Sequence, residues 1–461
     1  MGRRTPHWIL VGTILGSGAV FVEGSVTMVA LPAIARELHL GIAGLQWVLN
    51  GYLLTLSSLI LLGGALGDHF SRRGVFVIGL AGFSVASIAC ALAPNLSLLV
   101  AARVLQGAAG ALVVPNSLAL LETTFSGAER GAAVGYWAAW SAASGAFGPL
   151  AGGWLVDAAS WRWVFVCIAP FAAAAVVAVG WRDDERESSA ARTAVDYTGA
   201  ALVTLGLAGV VGALIAGPET GFTQPLPLAA LIGGGVLLIA FVQVERRTKS
   251  PLVPPAIFRV RQFTGANATT LVVYAALNGL FFLLMLHLQT TMGYGAMQAG
   301  ASLLPINALV LVLSPIAGRA ATRVGPRPLM VLGSLIAAGG MLLFMRVRPG
   351  ATYATSVLPA AVVFGIGLGC FVAPLTSVAL SALGEARAGL ASGVNNAVAR
   401  LAGLLAVAGL PLAVGLGGMH ELEGAAVASG FGRAMIICAA LCVAGAAIAA
   451  VTIRDAGGLS S

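Results

Sequence analysis

Fourteen runs of mostly apolar residues, separated by short polar segments, follow one another along this 461-residue chain. A run of about 20 apolar residues is the length of α-helix that crosses the hydrocarbon core of a bilayer. Water is absent from that core, so every peptide group must pair inside its own segment, and each run is expected to be a membrane-spanning helix. The expected spans are residues 8–33, 45–66, 75–93, 97–120, 131–156, 161–180, 198–217, 226–244, 265–290, 299–321, 328–346, 354–381, 389–416 and 425–453. Hydrophobic residues make up 59% of the chain and charged ones 9%, and the mean hydropathy is +0.96, which excludes an ordinary soluble domain. The fold class is therefore an all-α polytopic membrane protein.

The chain carries a formal charge of +8. A nucleic-acid partner is excluded, because the basic residues fall in the loops between apolar runs, where membrane topology explains them. With the N-terminus placed in the cytoplasm, eighteen basic residues fall on the inner side and five on the outer. The chain is thus expected to have both termini inside. The run after Met1-Gly-Arg-Arg is too long for a signal-peptide core and is expected to be a retained first span. The five cysteines lie in apolar runs and read as small buried residues, and no metal-ligand spacing involves them.

The most charged linker is Arg182–Asp196, too short for a domain and expected to be a cytoplasmic tether. The segments flanking it resemble one another at an offset near 258 residues. Gly110-Ala-Leu-Val-Val-Pro115 parallels Gly369-Cys-Phe-Val-Ala-Pro374. Gly127-Ala-Glu-Arg130 parallels Gly384-Glu-Ala-Arg387, and Gly64 to Arg73 is echoed by Gly318 to Arg327. Two six-span halves in one hydropathy order are the signature of a parallel-repeat transporter with its site at the interface. The expected organisation is an N-terminal bundle at 1–181, a tether with two inserted spans and a linker at 182–262, and a C-terminal bundle at 263–461. Spans 7 and 8 have no counterpart in the repeat.

Three ionisable residues interrupt the spans at depth: Glu23, Arg103 and Arg400. Charge in the hydrocarbon region is expensive, so each is a functional candidate by default. Arg400 finds no mid-span acid in the second half of the chain; Asn395, Asn396 or a substrate anion are its candidate partners, with helix carbonyls the alternative. His287, near the outer end of span 9, reads as interfacial. Asp157 and Glu122, at span ends, read as solvated.

Further motifs surround these residues. The loop after span 2 reads Gly64-x-x-x-Asp68-x-x-Ser71-Arg72-Arg73-Gly74, and span 4 carries Arg103-Val-Leu-Gln-Gly107. Span 5 reads Gly135-x8-Ser144-x3-Gly148-Pro149-x2-Gly152-Gly153. Span 1 ends Glu23-Gly-Ser-Val-Thr-Met-Val-Ala-Leu-Pro32, Trp161-Arg-Trp-Val-Phe165 opens span 6, and Asp196-Tyr-Thr-Gly199 opens the inserted pair. On these motifs the chain resembles the major facilitator superfamily and, within it, the fourteen-span drug:proton antiporters. Glu23 stands where that branch usually has Asp, and Ser71 where the signature loop usually has Gly.

The resemblance implies two six-helix bundles with two inserted central helices. It implies a proton-coupling role for Glu23 paired with Arg103, since spans 1 and 4 pack together in the family. It makes Gly64, Asp68, Arg72 and Arg73 a conformational switch loop, in which Asp68 pairs with an arginine or caps a helix. It makes Gly135, Gly148, Pro149, Gly152 and Gly153 the antiporter motif, whose glycines allow close approach and whose proline loosens the helix. A loose, adaptable substrate wall is expected from Trp137, Trp140, Phe281, Phe282 and Met285, with Asn395 and Arg400. The function implied is efflux of amphipathic small molecules across the inner membrane in exchange for protons, by a monomer surrounded by lipid. A dedicated exporter of one metabolite or antibiotic would carry the same motifs, and a lipid translocase is the other alternative. No P-loop or hydrolytic grouping occurs, so neither ATP-driven transport nor an enzyme is expected, and no cofactor beyond the proton.

Overall fold

The computed structural model describes residues 6–180, 195–248, 250–384, 387–422 and 424–454. Among these, helices account for all the regular structure. We number fourteen of them: α1 (Pro6–Leu38), α2 (Ile42–His69), α3 (Arg72–Leu92), α4 (Leu96–Thr124), α5 (Gly127–Ala158), α6 (Arg162–Val179) and α7 (Tyr197–Thr220). The series continues with α8 (Pro225–Arg247), α9 (Arg261–Thr290), α10 (Ala296–Val324), α11 (Pro326–Phe344), α12 (Tyr353–Ser381), α13 (Ala388–Ala413) and α14 (Gly424–Thr452). Thirteen are long and apolar enough to cross a membrane, and α5, 32 residues long and rich in Ala and Gly, stands at the expected fifth span. The protein is thus a multi-pass membrane protein. Of the linker Arg182–Asp196, only the last two residues are described; Arg3, Arg4 and Lys249 also lie outside the described residues.

Local chemistry marks the helix ends. Ser71 Oγ accepts the Gly74 N–H at 3.2 Å and Asn95 Oδ1 accepts the Leu98 N–H at 3.0 Å, so both residues N-cap their helices. Asp196 Oδ1 accepts the Gly199 N–H at 2.7 Å and starts α7 in the same way. Pro225 and Pro326 occupy the first turns of α8 and α11, where a missing N–H is harmless. Three helices are interrupted: α6 at Cys167, α10 between Ala301 and Leu304, and α12 by an opening π turn at Tyr353–Val357.

The internal repeat reappears as packing. In the first half α1 packs on α4, α5 and α6, α4 on α2 and α3, and α3 on α6. In the second half α9 packs on α12, α13 and α14, α12 on α10 and α11, and α11 on α14. These are the same six pairings, shifted by eight helices. The inserted α7 and α8 pack on each other through Gly209 and Gly234, and α7 lies along α2 and α13. There Thr204 donates to Ser58 at 3.0 Å.

Two faces follow from the alternation of the helices. The terminal face holds the start of α1 and the end of α14; the far face holds the end of α1 and the start of α10. At the far face the halves touch closely. The backbone of Gly153 in α5 lies against Ala296 and Met297, and Gly300 in α10 lies against the backbone of Pro149. A methyl group at Gly153 would sit 2.5 Å from Met297 Cα. Gln289 donates to Val29 O at 2.9 Å, and Gln46 donates to Val407 O and Ala408 O at 2.7 and 2.9 Å. Toward the terminal face α2 and α13 remain in contact, with Leu61 over Gly393, while a methyl group at Gly131 or Gly135 of α5 would meet nothing within 4 Å. The halves are therefore clamped at the far face and parted beside α5 at the terminal face.

Candidate functional site

Glu23 lies midway along α1, and its side chain and that of Arg103 are both 0% exposed. The antiparallel packing of α1 and α4 brings them together, and Arg103 Nη1 donates to Glu23 Oε1. Thr27, one turn along α1, donates to the same oxygen at 2.7 Å. Arg103 Nη1 also donates to Gln106 Oε1 at 2.6 Å, and Nε to Val48 O at 2.9 Å. Gln106 in turn donates to Ser87 Oγ at 2.7 Å. The guanidinium lies 4.4 Å from the ring centroid of Tyr52 and 5.8 Å from that of Phe165. Glu23 Oε2 and Arg103 Nη2 are buried without a hydrogen-bond partner. A buried pair is retained only with good geometry, and removing one member leaves an uncompensated charge.

Beside the pair lies a cavity of about 420 Å³ between the halves. Its size suits a drug-sized ligand. Phe21, Gly24, Ser25 and Met28 of α1 form one wall, with Leu49, Tyr52 and Leu53 of α2. Tyr274, Leu277, Asn278 and Phe281 of α9 face them. Ser392, Asn395, Asn396 and Arg400 of α13, with Thr376 and Leu380 of α12, carry the lining toward the terminal face. Arg400 stacks on Phe21 at 5.4 Å, and Asn395 donates to Thr270 Oγ1 at 2.8 Å and Asn267 Oδ1 at 3.2 Å. A smaller cavity of about 50 Å³ adjoins Phe281, Met285 and Pro149.

The expected wall is only partly the observed one. Phe281 lines both cavities and Met285 the smaller. Phe282 instead points into the core at 0% exposure, being one residue, or about 100° of helix, from Phe281. Trp140 is 58% exposed and on neither wall. Trp137 stands behind the wall, edge-on to Phe21 with centroids 6.2 Å apart. Sequence reasoning missed Phe21, Tyr52, Tyr274 and Asn278.

The other motifs are resolved residue by residue. Asp68 and Arg72 form an exposed pair at 2.8 Å, one helical turn apart. Arg73 reaches across to the end of α6, donating to Val179 O and, at 3.1 Å, to Gly180 O. Gly64 is not a tight contact; Gly63 and Gly67 are, against Ala111 and Asn116 of α4, and Asn116 donates to Gly63 O at 2.9 Å. In α5, Gly148 and Gly152 pack on Ser25 and Val26 of α1, and Gly153 and Pro149 on α10, but Gly135 faces open space. The helix runs unbroken through Pro149. The Ser144 side chain lies outside the described residues.

Two end-of-span residues are held by protein contacts. His287, three residues before the end of α9, is 1% exposed, bonded through Nε2 to Val347 O at 2.8 Å and stacked on Phe431 at 4.5 Å. Asp157 is not merely solvated: its two oxygens accept the N–H groups of Ala296 and Met297 at 3.0 and 2.8 Å. It thereby caps the start of α10 from the opposite half. Glu122 is exposed at the end of α4.

Comparison with known proteins decides the family. The sequence profile of the Major Facilitator Superfamily matches residues 13–407. The chain belongs to the major facilitator superfamily. Among superfamily proteins it is 36% identical, over 87% of its own length and 80% of the other, to the puromycin resistance protein pur8 of Streptomyces alboniger. It is 32% identical, over 88% and 75%, to the tetracenomycin C resistance and export protein of Streptomyces glaucescens. The superfamily fold is shared with the crystal structure of a bacterial homologue of the human lysosomal transporter Spinster, at TM-score 0.67 and 17% identity over 98% of each chain.

Proposed function

We propose that this protein exports amphipathic small molecules from the bacterial cytoplasm across the inner membrane in exchange for protons. The names of its relatives support export of antibiotics, and one observation carries the proton coupling. Glu23 and Arg103 are paired at membrane depth, each keeping one unpartnered polar atom, with Arg103 on the wall of the cavity between the halves and Glu23 directly behind it.

The arginine bias puts the terminal face in the cytoplasm. In the present conformation the cavity would therefore receive substrate from inside. A proton arriving at Glu23 removes the charge that holds Arg103, and α1 and α4 are then free to repack. Alternating access follows as the bundles at 1–181 and 263–461 rock about the cavity, with 182–262 as the tether, inserted pair and linker between them. Arg73 and the Asp68–Arg72 pair hold the terminal ends of α2, α3 and α6, and the Gly148–Gly153 segment of α5 is the surface that slides on α1 and α10. The protein works as a monomer in lipid. The proton is its coupling ion, and no substrate bond is broken.

The test is efflux of a fluorescent dye from energised cells expressing the protein, with and without a protonophore, beside Glu23→Gln. Export that fails with both supports the reading. Protonophore-sensitive export that survives Glu23→Gln would move the coupling site elsewhere. Absence of dye export despite good expression would favour a dedicated single-metabolite exporter.

A further inference from the structure

The cavity wall holds two arginines and no carboxylate. Arg103 is answered from behind the wall by Glu23. Arg400 is not answered. Among the described residues no hydrogen bond or ion pair reaches its guanidinium, and its one close partner is the Phe21 ring, 5.4 Å away. It is half-buried in the wall at the middle of α13, about 18 Å from the helix start at 1.5 Å per residue. A guanidinium at that depth favours an anion beside it, and its planar fork matches a carboxylate.

The neighbouring donors point the same way. Asn396, one turn before Arg400 on the same helix face, also lines the cavity, and its amide has no protein partner. Asn395 lines the wall too, but its amide N–H groups are already given to Thr270 and Asn267, and Asn278 gives one of its two to Tyr274 O. Among the described residues, Arg400 and Asn396 keep all their N–H groups free at one turn's spacing. Apolar and aromatic surface stands opposite, in Phe21, Tyr52 and Phe281.

We propose that Arg400 is the specificity-determining residue of the cavity and selects amphipathic substrates bearing a single anionic oxygen group. A carboxylate or an ionised enol or phenol sits on the guanidinium with Asn396, and the apolar body lies against Phe21 and Phe281. The assignment rests on the export reading for its biological meaning, but not for its test.

The test uses the purified full chain in nanodiscs and three probes of one shape. They are pyrenebutyrate, its uncharged amide and pyrenebutylammonium, with binding read by energy transfer from the protein's tryptophans. Wild type is expected to bind the butyrate about tenfold more tightly than the amide, equivalent to about 1.4 kcal/mol, and the ammonium most weakly. Arg400→Gln is expected to erase that preference and Arg400→Lys to keep part of it. The assignment is overturned if the amide or the ammonium binds as well as the butyrate to wild type, if the preference survives in Arg400→Gln, or if no probe binds. The wild-type comparison stands even if a variant fails to fold. Export is measured separately in proteoliposomes with an imposed proton gradient. Charge-selective binding without gradient-driven flux would sink the export reading alone. Flux of all three probes without charge selection would sink the assignment alone.

Discussion

The two halves of the molecule share six helix pairings but not their polar contents. In the first half, Glu23, Thr27, Ser87, Arg103 and Gln106 form a connected buried network. At the repeat offset near 258, the counterparts of Glu23 and Arg103 fall at or beside Phe281 and Ala361, a wall aromatic and a buried small residue. The second half instead places its deep charge on α13, at Arg400, facing open space rather than a protein acid. One backbone design thus hosts an internally compensated ion pair on one side and an uncompensated cation on the other. Symmetry of packing sets where the cavity lies, while on the proposed reading the asymmetry of charge divides the work between proton and substrate.

The largest expected effect removes the compensation. Arg103→Leu strands the Glu23 charge and is expected to destabilise the protein by about 3–5 kcal/mol and abolish gradient-driven flux. Glu23→Leu with Arg103→Leu should recover most of the stability and none of the coupling. Thermal unfolding in detergent beside proteoliposome flux would check this. A single variant costing under about 1 kcal/mol would break the claim that the first half is organised around the pair.

The seam between the halves comes next. Gly153→Leu must push apart α5 and α10 where their backbones meet, at a cost of about 1–3 kcal/mol to the far-face closure. A cysteine placed at Ser25, in a chain whose own cysteines are replaced, should become more reactive from the outside. Asp157→Asn acts on the same closure more gently. It keeps the shape but leaves one acceptor oxygen for two backbone N–H groups, so one bond is lost and the other loses its charge, which is expected to weaken closure by about 1 kcal/mol. Equal labelling of both variants and wild type would show that neither contact holds the far face.

Much of this was legible in the sequence, and the limits have physical causes. Span lengths and the repeat are written in hydropathy, and the depth of a lone acid or arginine can be counted along a helix. Facing is harder, because these helices are apolar on nearly all sides and have no polar stripe to say which way a residue points. Phe281 and Phe282 are adjacent and chemically identical, yet one lines the cavity and one fills the core. A signal did exist: Tyr274, Leu277, Asn278 and Phe281 recur at helical spacing, as do Phe21, Gly24, Ser25 and Met28, and both sets line the cavity. Asp157 gave no such signal, since its role depends on a helix start from the other half, 139 residues away.

The aromatic wall offers the mildest way to sharpen the contrast between the halves. Phe21 belongs to the first half but covers the guanidinium of the second, so it is the side chain through which Arg400 touches the opposite bundle. Truncating it removes the cation–π contact and part of the apolar platform. Phe21→Ala is therefore expected to weaken pyrenebutyrate binding by about two- to fivefold, or about 0.5–1 kcal/mol. Trp140→Ala, on an exposed face away from both cavities, should leave binding unchanged. The two substitutions delete the same kind of surface, so their difference isolates facing from composition. If Trp140→Ala matched or exceeded Phe21→Ala, the substrate would have to contact the exposed side of α5, and the cavity wall would need to be redrawn to include it.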